Sequence, residues 1–195
     1  MSTMRQAQRH VSVNEYVALE EGSNLRHEYF DGQMFAMSGG SAEHNRITKS
    51  LVKLLDGAID HGCESYFNDL RVRTASGLHT YPDVFVVCGP LTYSADDPLA
   101  VTNPVLIAEV LSASTRDYDR GQKFDLYRAT ATLRDYLLVD QYTVDVEHRF
   151  LEAARWVSKR YTNREDVVQL TGVPLALPVD AIYERIDFSS TRHDH

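Results

Sequence analysis

Apolar residues recur along this chain with a helical period in one block and with a strand period in several others. In the helical block, apolar side chains return at steps of three and four residues: Ile47, Leu51, Leu54, Leu55 and Ala58. This spacing places them on one face of a helix. The block therefore predicts an amphipathic helix that covers a β-sheet.

The first part of the chain predicts a short helix followed by a β-hairpin. The S-x-x-E pattern from Ser12 to Glu15 is typical of a capping box, and the helix that it begins should continue through Leu19. Two extended runs, 26–30 and 33–37, then flank an Asp-Gly pair, which tolerates the positive φ of a tight turn.

Later runs rich in apolar and β-branched residues predict further strands, at 66–74, 81–88, 105–111 and 136–139. A helix is expected at 119–128, between the last two. Strand, helix and strand in succession imply a crossover with parallel pairing at that edge of the sheet. A closing hairpin is predicted from 145–150 and 155–161, and the whole pattern indicates a mixed α/β fold.

The length of 195 residues fits one domain. We expect this domain at 13–186, with a flexible N-terminus at 1–12 and a loose tail at 187–195. The stretch 89–104 has the composition of a surface loop.

Composition limits the class of protein. Hydrophobic residues at 43% and charged residues at 25% are typical of a globular protein. No apolar run is long enough to span a membrane and no apolar leader is visible, so we expect a cytoplasmic protein without a membrane partner. Cys63 and Cys88 have neither CxxC nor Cys/His spacing, which favours buried free thiols over a disulfide framework or a zinc site.

The net charge of −8 excludes a uniformly basic nucleic-acid binder. Two local basic groups remain, either as solvated faces or as phosphate contacts: Arg46 with Lys49 and Lys53, and Arg71 with Arg73. Acidity does not exclude a nuclease, because clustered carboxylates bind a metal ion that itself attracts phosphate.

Two carboxylates interrupt apolar strands. Asp83 lies in the run YPDVFVV, and Glu109 lies in VLIAEVL. A buried charge is costly unless it is paired or bound to a cation. Each acid alone is explained equally well by an arginine or backbone-amide partner. Two such acids on neighbouring strands favour a shared hard cation, for which oxygen ligands are suited.

Several ordered segments resemble the Uma family of restriction-type endonucleases, within the PD-(D/E)xK nuclease superfamily: HEYFDGQMFAMSGGSAEHNRI, NDLRV, YPDVFVV, NPVLIAEVLSASTRDYDRGQKFDLY and LRDYLLVD. The resemblance covers residues 13–183. It implies a restriction endonuclease-like mixed central β-sheet flanked by helices, with an N-terminal hairpin and a C-terminal β-hairpin. It also implies an Mg²⁺- or Mn²⁺-dependent endonuclease that hydrolyses phosphodiester bonds of nucleic acid, with DNA favoured.

The resemblance assigns Asp83 and Glu109 as metal ligands. The chain departs from the superfamily motif at Leu111, which stands where a lysine is usual. The Uma-type pattern offers Lys123 instead, on the predicted helix beside the strand. The alternative for Lys123 is a solvated lysine or an i,i+4 partner of Asp119.

Two more residues match the family pattern. Glu28 resembles the additional N-terminal acid of the superfamily and is expected to complete the metal shell, unless it is an exposed glutamate beside a turn. His44 is expected to contact phosphate or position water, unless its ring is satisfied by backbone. Asp69 is a further candidate for orienting neighbouring ligands.

Two other functions remain open. A binding or regulatory protein on a catalytically inactive nuclease scaffold would explain Leu111, and in it Lys123 would point to solvent. A glycosidase with paired carboxylates is less favoured, because no aromatic platform for a sugar lies near either acid in sequence. Apolar faces on the C-terminal hairpin would allow a homodimer.

Overall fold

One six-stranded sheet carries most of the fold. The computed structural model describes residues 10–188. The segments predicted to be a flexible N-terminus, 1–12, and a loose tail, 187–195, lie largely outside these residues. In spatial order, the strands of this sheet are β11 (Arg155–Tyr161), β10 (Val146–Glu152), β9 (Asp135–Asp140), β8 (Leu106–Leu111), β6 (Val84–Cys88) and β3 (Cys63–Phe67). Strands β8 and β9 are parallel, and the other neighbouring pairs are antiparallel. The predicted crossover and closing hairpin are confirmed.

The parallel pair lies inside the sheet, not at an edge as expected, because the β10–β11 hairpin extends the sheet beyond β9. Every residue of β8 and β9 is buried, since apolar clusters cover both faces. Side chains alternate between the two faces of a strand. Glu109 therefore shares a face with Ile107 and Leu111, which pack in the cluster that also contains Tyr127.

The predicted amphipathic helix covers the other face. Helix α2 (Ala42–Leu55) begins after Ser41, whose hydroxyl accepts a hydrogen bond from the His44 N–H. Its buried positions include Ile47 and Leu51. A 3₁₀ turn at Asp56–His61 then leads into β3.

A second, five-stranded sheet is formed by strands that lie between residues 27 and 101. In spatial order it contains β2 (Gln33–Ala36), β1 (His27–Phe30), β5 (His79–Thr80), β4 (Arg71–Arg73) and β7 (Ala100–Val101). Helix α1 (Val13–Glu21) precedes it, with both bonds of the predicted capping box present. The β1–β2 turn places Asp31 at φ 47° and Gly32 at φ 76°, as the predicted hairpin requires.

Two predicted strands and one predicted loop are corrected. The run 66–74 is divided between the sheets, because Asn68 adopts a left-handed φ of 58° that ends β3. The run 81–88 is shortened to β6, which begins at Val84, since Pro82 has no N–H for a strand ladder. The stretch 89–104 is not only a loop, because it contains β7, which pairs in parallel with β4.

The prediction of free thiols is wrong. Cys63 and Cys88 form a disulfide, at a sequence separation of 25. They are direct partners in the antiparallel pairing of β3 with β6, so strand register brings together two cysteines whose spacing gives no signal.

The remaining elements complete the α/β fold. The helix at residues 116–127 consists of α3 (Arg116–Tyr118), a π turn (Asp119–Lys123) and α4 (Phe124–Tyr127). A small hairpin of β12 (Val167–Gln169) and β13 (Ala176–Pro178) precedes α5 (Val179–Ile182). Among the described residues, no helix is both long and apolar enough to cross a membrane.

A buried ion-pair cluster holds β4, β5 and the chain before β7 together. Asp97 is fully buried, and its carboxylate lies 3.0 Å from Arg71 and 3.1 Å from His79. Burial alone would raise the pKa of Asp97, but the hydrogen bond from His79 and the charge of Arg71 outweigh it and lower the pKa. Arg71 is therefore a structural residue and not a surface phosphate contact.

We expect Asp97→Asn to lower the free energy of unfolding by about 3 kcal/mol or more, because it leaves the Arg71 charge buried without a carboxylate. A carboxylate whose pKa is lowered by folding stabilises the protein at pH values above its ordinary pKa. This stabilisation is lost as the pH falls through the pKa of the folded state. The difference between variant and wild type should therefore shrink in acid. Urea unfolding at neutral and acidic pH measures it.

Asp96→Asn is the matched control, because Asp96 pairs with Arg73 at the surface. It should change stability by less than about 1 kcal/mol. Equal effects of the two substitutions would contradict the prediction.

Candidate active site

All five residues selected from the sequence line one cavity of about 170 Å³ at the junction of the two sheets: Glu28, His44, Asp83, Glu109 and Lys123. They come from β1, the first turn of α2, the segment before β6, β8 and the helix at 116–127. Asp119 also lines this cavity, so four carboxyl groups share it with one lysine. The structure thus brings these side chains together, and their chemical roles stay predictions.

Lys123 lies at the centre of the cluster. Its Nζ is 2.8 Å from Glu28 Oε1, 3.0 Å from Glu109 Oε1 and 3.5 Å from Asp119 Oδ1, and only 5% of the residue is exposed. The i,i+4 pair with Asp119 is present, but Lys123 is not a solvated lysine. Burial alone would lower its pKa, yet Glu109 and Glu28 outweigh burial and hold the pKa well above its ordinary value.

The π turn carries Lys123 and Asp119 into the site. A π turn changes the hydrogen-bonding pattern of the helix, and such turns are frequent at functional sites. Two buried or half-buried side chains bond its carbonyl groups: the Tyr136 hydroxyl donates to Asp119 O at 2.9 Å, and Arg149 Nη1 donates to Arg120 O at 2.7 Å. These contacts stabilise the turn, and with it the position of Lys123.

Glu109 is enclosed by protein. Its Oε1 accepts a hydrogen bond from the Tyr127 hydroxyl at 2.8 Å, and its Oε2 accepts one from the Asp83 N–H at 3.4 Å. Burial raises the pKa of Glu109 to about 8, with Lys123 opposing the rise and the charges of Asp83 and Asp119 adding to it. Burial and the neighbouring acids thus oppose ionisation of Glu109, and Lys123 favours it.

Asp83 is fixed between two elements. Its Oδ2 accepts hydrogen bonds from the Val110 N–H at 2.7 Å and is 3.1 Å from His44 Nε2. The backbone-amide partner considered from the sequence is therefore present. No hydrogen bond to Oδ1 occurs among residues 10–188, so this oxygen remains open to another ligand.

The ring of His44 bonds Asp83 and not backbone. Burial alone would lower the pKa of His44, but the hydrogen bond and charge of Asp83 outweigh it and raise the pKa. Gly40 packs closely against this ring, since a Cβ at Gly40 would lie 2.7 Å from His44 Nδ1. The small residue at this position lets the loop lie against the histidine.

Glu28 is buried, contrary to the alternative of an exposed glutamate. Its Oε1 accepts a hydrogen bond from the Thr80 hydroxyl at 2.6 Å and lies beside Lys123. Burial alone would raise the pKa of Glu28, but Lys123 outweighs burial and lowers the pKa. The pKa values of Glu28 and Glu109 are thus shifted in opposite directions, although both carboxyl groups contact Lys123.

Sequence reasoning missed several contacts. Tyr127 lies four residues after Lys123, a helical spacing that could have placed it beside the same strand. Tyr118 lies near Glu28 and helps to lower the pKa of its carboxyl group, and only the tertiary fold reveals this proximity. Asp69 does not join the site, because its side chain is 80% exposed and pairs with Arg26.

Asp83 and Glu109, which the sequence assigned to a divalent cation, both offer carboxyl oxygens in this cavity. Carboxylate oxygens are the ligands that Mg²⁺ and Mn²⁺ prefer. Within residues 10–188, no group of three or more His, Cys, Asp or Glu side chains is arranged to hold a metal ion. Lys123 accounts for the absence of such a group, because its ammonium group contacts both Glu28 and Glu109.

Comparison with known proteins shows the family to which the chain is similar. A family model described as "Uma2: Putative restriction endonuclease" matches residues 13–180. The chain is 38% identical over 181 residues to the uncharacterized protein slr1290 of Synechocystis sp., covering 91% of this chain and 94% of the relative. It is 41% identical over 140 residues to a second Synechocystis protein, sll1609, covering 71% and 79% respectively.

A solved structure has the same fold. The crystal structure of a protein from Anabaena variabilis, described as a putative nuclease belonging to DUF820, aligns with a TM-score of 0.73. The alignment covers 89% of this chain and 98% of the other at 15% sequence identity. This likeness confirms the predicted restriction endonuclease-like α/β fold.

The raised pKa of Glu109 predicts a pH-dependent contribution to stability. The folded pKa of about 8 exceeds the ordinary value of 4.5, so the stabilising contribution is complete below the ordinary value and is lost as the pH rises through about 8. The side chain introduced by Glu109→Gln does not ionise. As the pH rises from about 4.5 to about 8, the free energy of unfolding of this variant should therefore increase relative to that of the wild type. The gain is at most about 1.4 kcal/mol per pH unit.

Urea unfolding of both proteins at a series of pH values measures this gain. Asp69→Asn is the control, because its exposed carboxylate should produce no such trend. Stability curves of wild type and Glu109→Gln that run parallel would contradict the prediction.

Proposed function

The chain belongs to the Uma2 family, described as "Putative restriction endonuclease", and we propose that it is a metal-dependent endonuclease that hydrolyses phosphodiester bonds. We propose DNA as the favoured nucleic acid, in keeping with the family description. The observation that carries the proposal is the buried ammonium group of Lys123, 3.0 Å from Glu109. It supplies a positive charge beside the acid of β8 although Leu111 occupies the usual place of the lysine.

Asp83 and Glu109 are the proposed ligands of Mg²⁺ or Mn²⁺. When bound, the cation would lower the pKa of a coordinated water and polarise a phosphoryl oxygen. Asp83 is held in place by the Val110 N–H and His44, so its orientation is fixed before a ligand arrives. Glu28 is the proposed third ligand. Because it contacts Lys123, its role as a metal ligand is linked to the role of Lys123.

Lys123 is proposed to stabilise the anionic transition state. Its pKa lies well above the ordinary value, so it keeps its proton and does not act as a general base. A fixed ammonium group in a site with little water is effective against developing negative charge. His44, whose pKa is raised by Asp83, is proposed to donate its ring N–H to phosphate or water.

The inactive-scaffold alternative predicts a lysine that points to solvent. Lys123 is instead buried among three carboxylates, which supports the catalytic reading. A bound cation would also relieve the repulsion among the four carboxyl groups of the cavity. Catalysis is therefore the function that we test first.

We expect Asp83→Asn and Glu109→Gln each to weaken Mn²⁺ binding at least tenfold, because each exchanges a charged oxygen ligand for a neutral amide. Calorimetric titration with Mn²⁺ measures the affinity. Asp69→Asn should bind Mn²⁺ as the wild type does, since Asp69 lies outside the cavity. Undiminished binding in both cavity variants would remove the proposed metal site.

We expect Lys123→Met to reduce Mg²⁺-dependent cleavage by about 100-fold or more without weakening Mn²⁺ binding, because the ammonium group is assigned to the transition state. Cleavage of a mixed panel of DNA and RNA substrates measures the loss, and Lys159→Met on β11 is the matched control, because Lys159 is exposed and does not line the cavity.

Three outcomes separate the hypotheses. A wild-type protein that cuts nothing in the panel with Mg²⁺ or Mn²⁺ would favour a binding protein on a nuclease scaffold. Equal cleavage by wild type and Lys123→Met would show that another residue supplies the charge. Recovery of cleavage by Leu111→Lys in the Lys123→Met background would show that the location of the ammonium group matters, since Leu111 shares a strand face with Glu109.

A further inference from the structure

A second cavity of about 510 Å³ adjoins the candidate active site. Its size lies within the roughly 300–1,000 Å³ of ligand pockets. The two cavities share Glu28, Phe35, Thr115 and Tyr118 in their walls, so they lie next to each other. A ligand group that occupies the second cavity would therefore lie beside a substrate bound at Lys123.

One face of the β1–β2 hairpin forms one wall of this cavity. Glu28 is the cross-strand partner of Phe35, and Phe30 is the partner of Gln33. Because residues two apart point to the same side of a strand, all four side chains share one face. All four line the second cavity.

The opposite wall comes from the start of the helix at residues 116–127. Tyr118 and Thr115 lie there, and the side chain of Tyr118 lies near Glu28. The cavity thus combines aromatic rings with amide and hydroxyl groups. Phe35 lies on an edge strand and is 48% exposed, so burial in the core does not account for its large apolar ring.

We propose that the second cavity binds an unpaired nucleobase of single-stranded DNA, stacked on the ring of Phe35 and hydrogen-bonded by Gln33. The inference rests on the proposed function for the identity of the ligand. An aromatic ring offers a stacking surface for every base, and polar side chains beside it bond the base edges. Glu28 and Asp31 make the wall acidic and so disfavour a further phosphate, which leaves the uncharged base as the part of a nucleotide that fits.

The proposal narrows the substrate to unpaired DNA. A base within a duplex is stacked on its neighbours, and its faces are accessible to a protein ring only after it leaves the helix. Single-stranded DNA presents such bases directly. The site should therefore prefer single-stranded DNA to a duplex of the same sequence.

Fluorescence anisotropy tests the base contact separately from catalysis. A short labelled oligothymidine and a fully abasic oligonucleotide of the same length are titrated with the protein in Ca²⁺, and oligonucleotide integrity is checked afterwards. The two ligands carry the same phosphates, so their difference in affinity reports the bases alone. We expect the wild type to bind oligothymidine roughly 5- to 100-fold more tightly than the abasic strand.

Phe35→Ala should remove most of this difference and leave affinity for the abasic strand unchanged. Phe35→Leu keeps an apolar side chain without a ring and should behave as Phe35→Ala does, whereas Phe35→Trp should retain the preference. Tyr93→Ala is the matched control, because Tyr93 is an equally exposed aromatic residue that lines neither cavity.

The proposal is overturned if the wild type binds both strands equally, if it binds neither, or if Phe35→Leu keeps the full preference for bases. A duplex bound more tightly than the single strand would overturn the assignment to unpaired DNA. Failure of the proposed function has a different signature, in which base-dependent binding through Phe35 persists while no substrate is cleaved with Mg²⁺ or Mn²⁺.

Discussion

The contact of the Lys123 ammonium group with Glu28 and Glu109 is the interaction on which the site depends. Glu28 comes from the five-stranded sheet, and Glu109 comes from the six-stranded sheet. A buried ammonium group needs such partners, because burial without them would favour loss of its proton. The same contact therefore joins the two sheets, keeps Lys123 charged and fixes the carboxylates at the spacing that the cavity shows.

The surrounding structure maintains this contact through uncharged groups. The hydroxyl groups of three side chains donate hydrogen bonds here: Thr80 to Glu28, Tyr127 to Glu109, and Tyr136 to the π turn that carries Lys123. These hydroxyl groups satisfy buried oxygens without adding charge. Under the proposed function, this acidic excess remains available for a cation, which in turn would attract a phosphodiester to a chain with a net charge of −8.

Local patterns were sufficient to predict the capping box, the first hairpin, helix α2 and the parallel strand pair, because each depends on neighbours in sequence. The five candidate site residues were found through buried acids and a family resemblance. The disulfide was missed because it depends on the register of β3 with β6. The π turn was missed because helical periodicity does not distinguish it from an ordinary turn, and the break at Asn68 was missed because polar residues also occur within strands.

The disulfide has a consequence for the unfolded chain. The loop that Cys63 and Cys88 close contains β4, β5 and Asp83, so it spans both sheets and part of the site. Restricting a loop at a separation of 25 residues removes chain entropy equivalent to roughly 3 to 4 kcal/mol from the unfolded state. In a reducing environment that restriction disappears while the folded contacts remain. The folded fraction of this protein therefore depends on the thiol–disulfide balance of its surroundings.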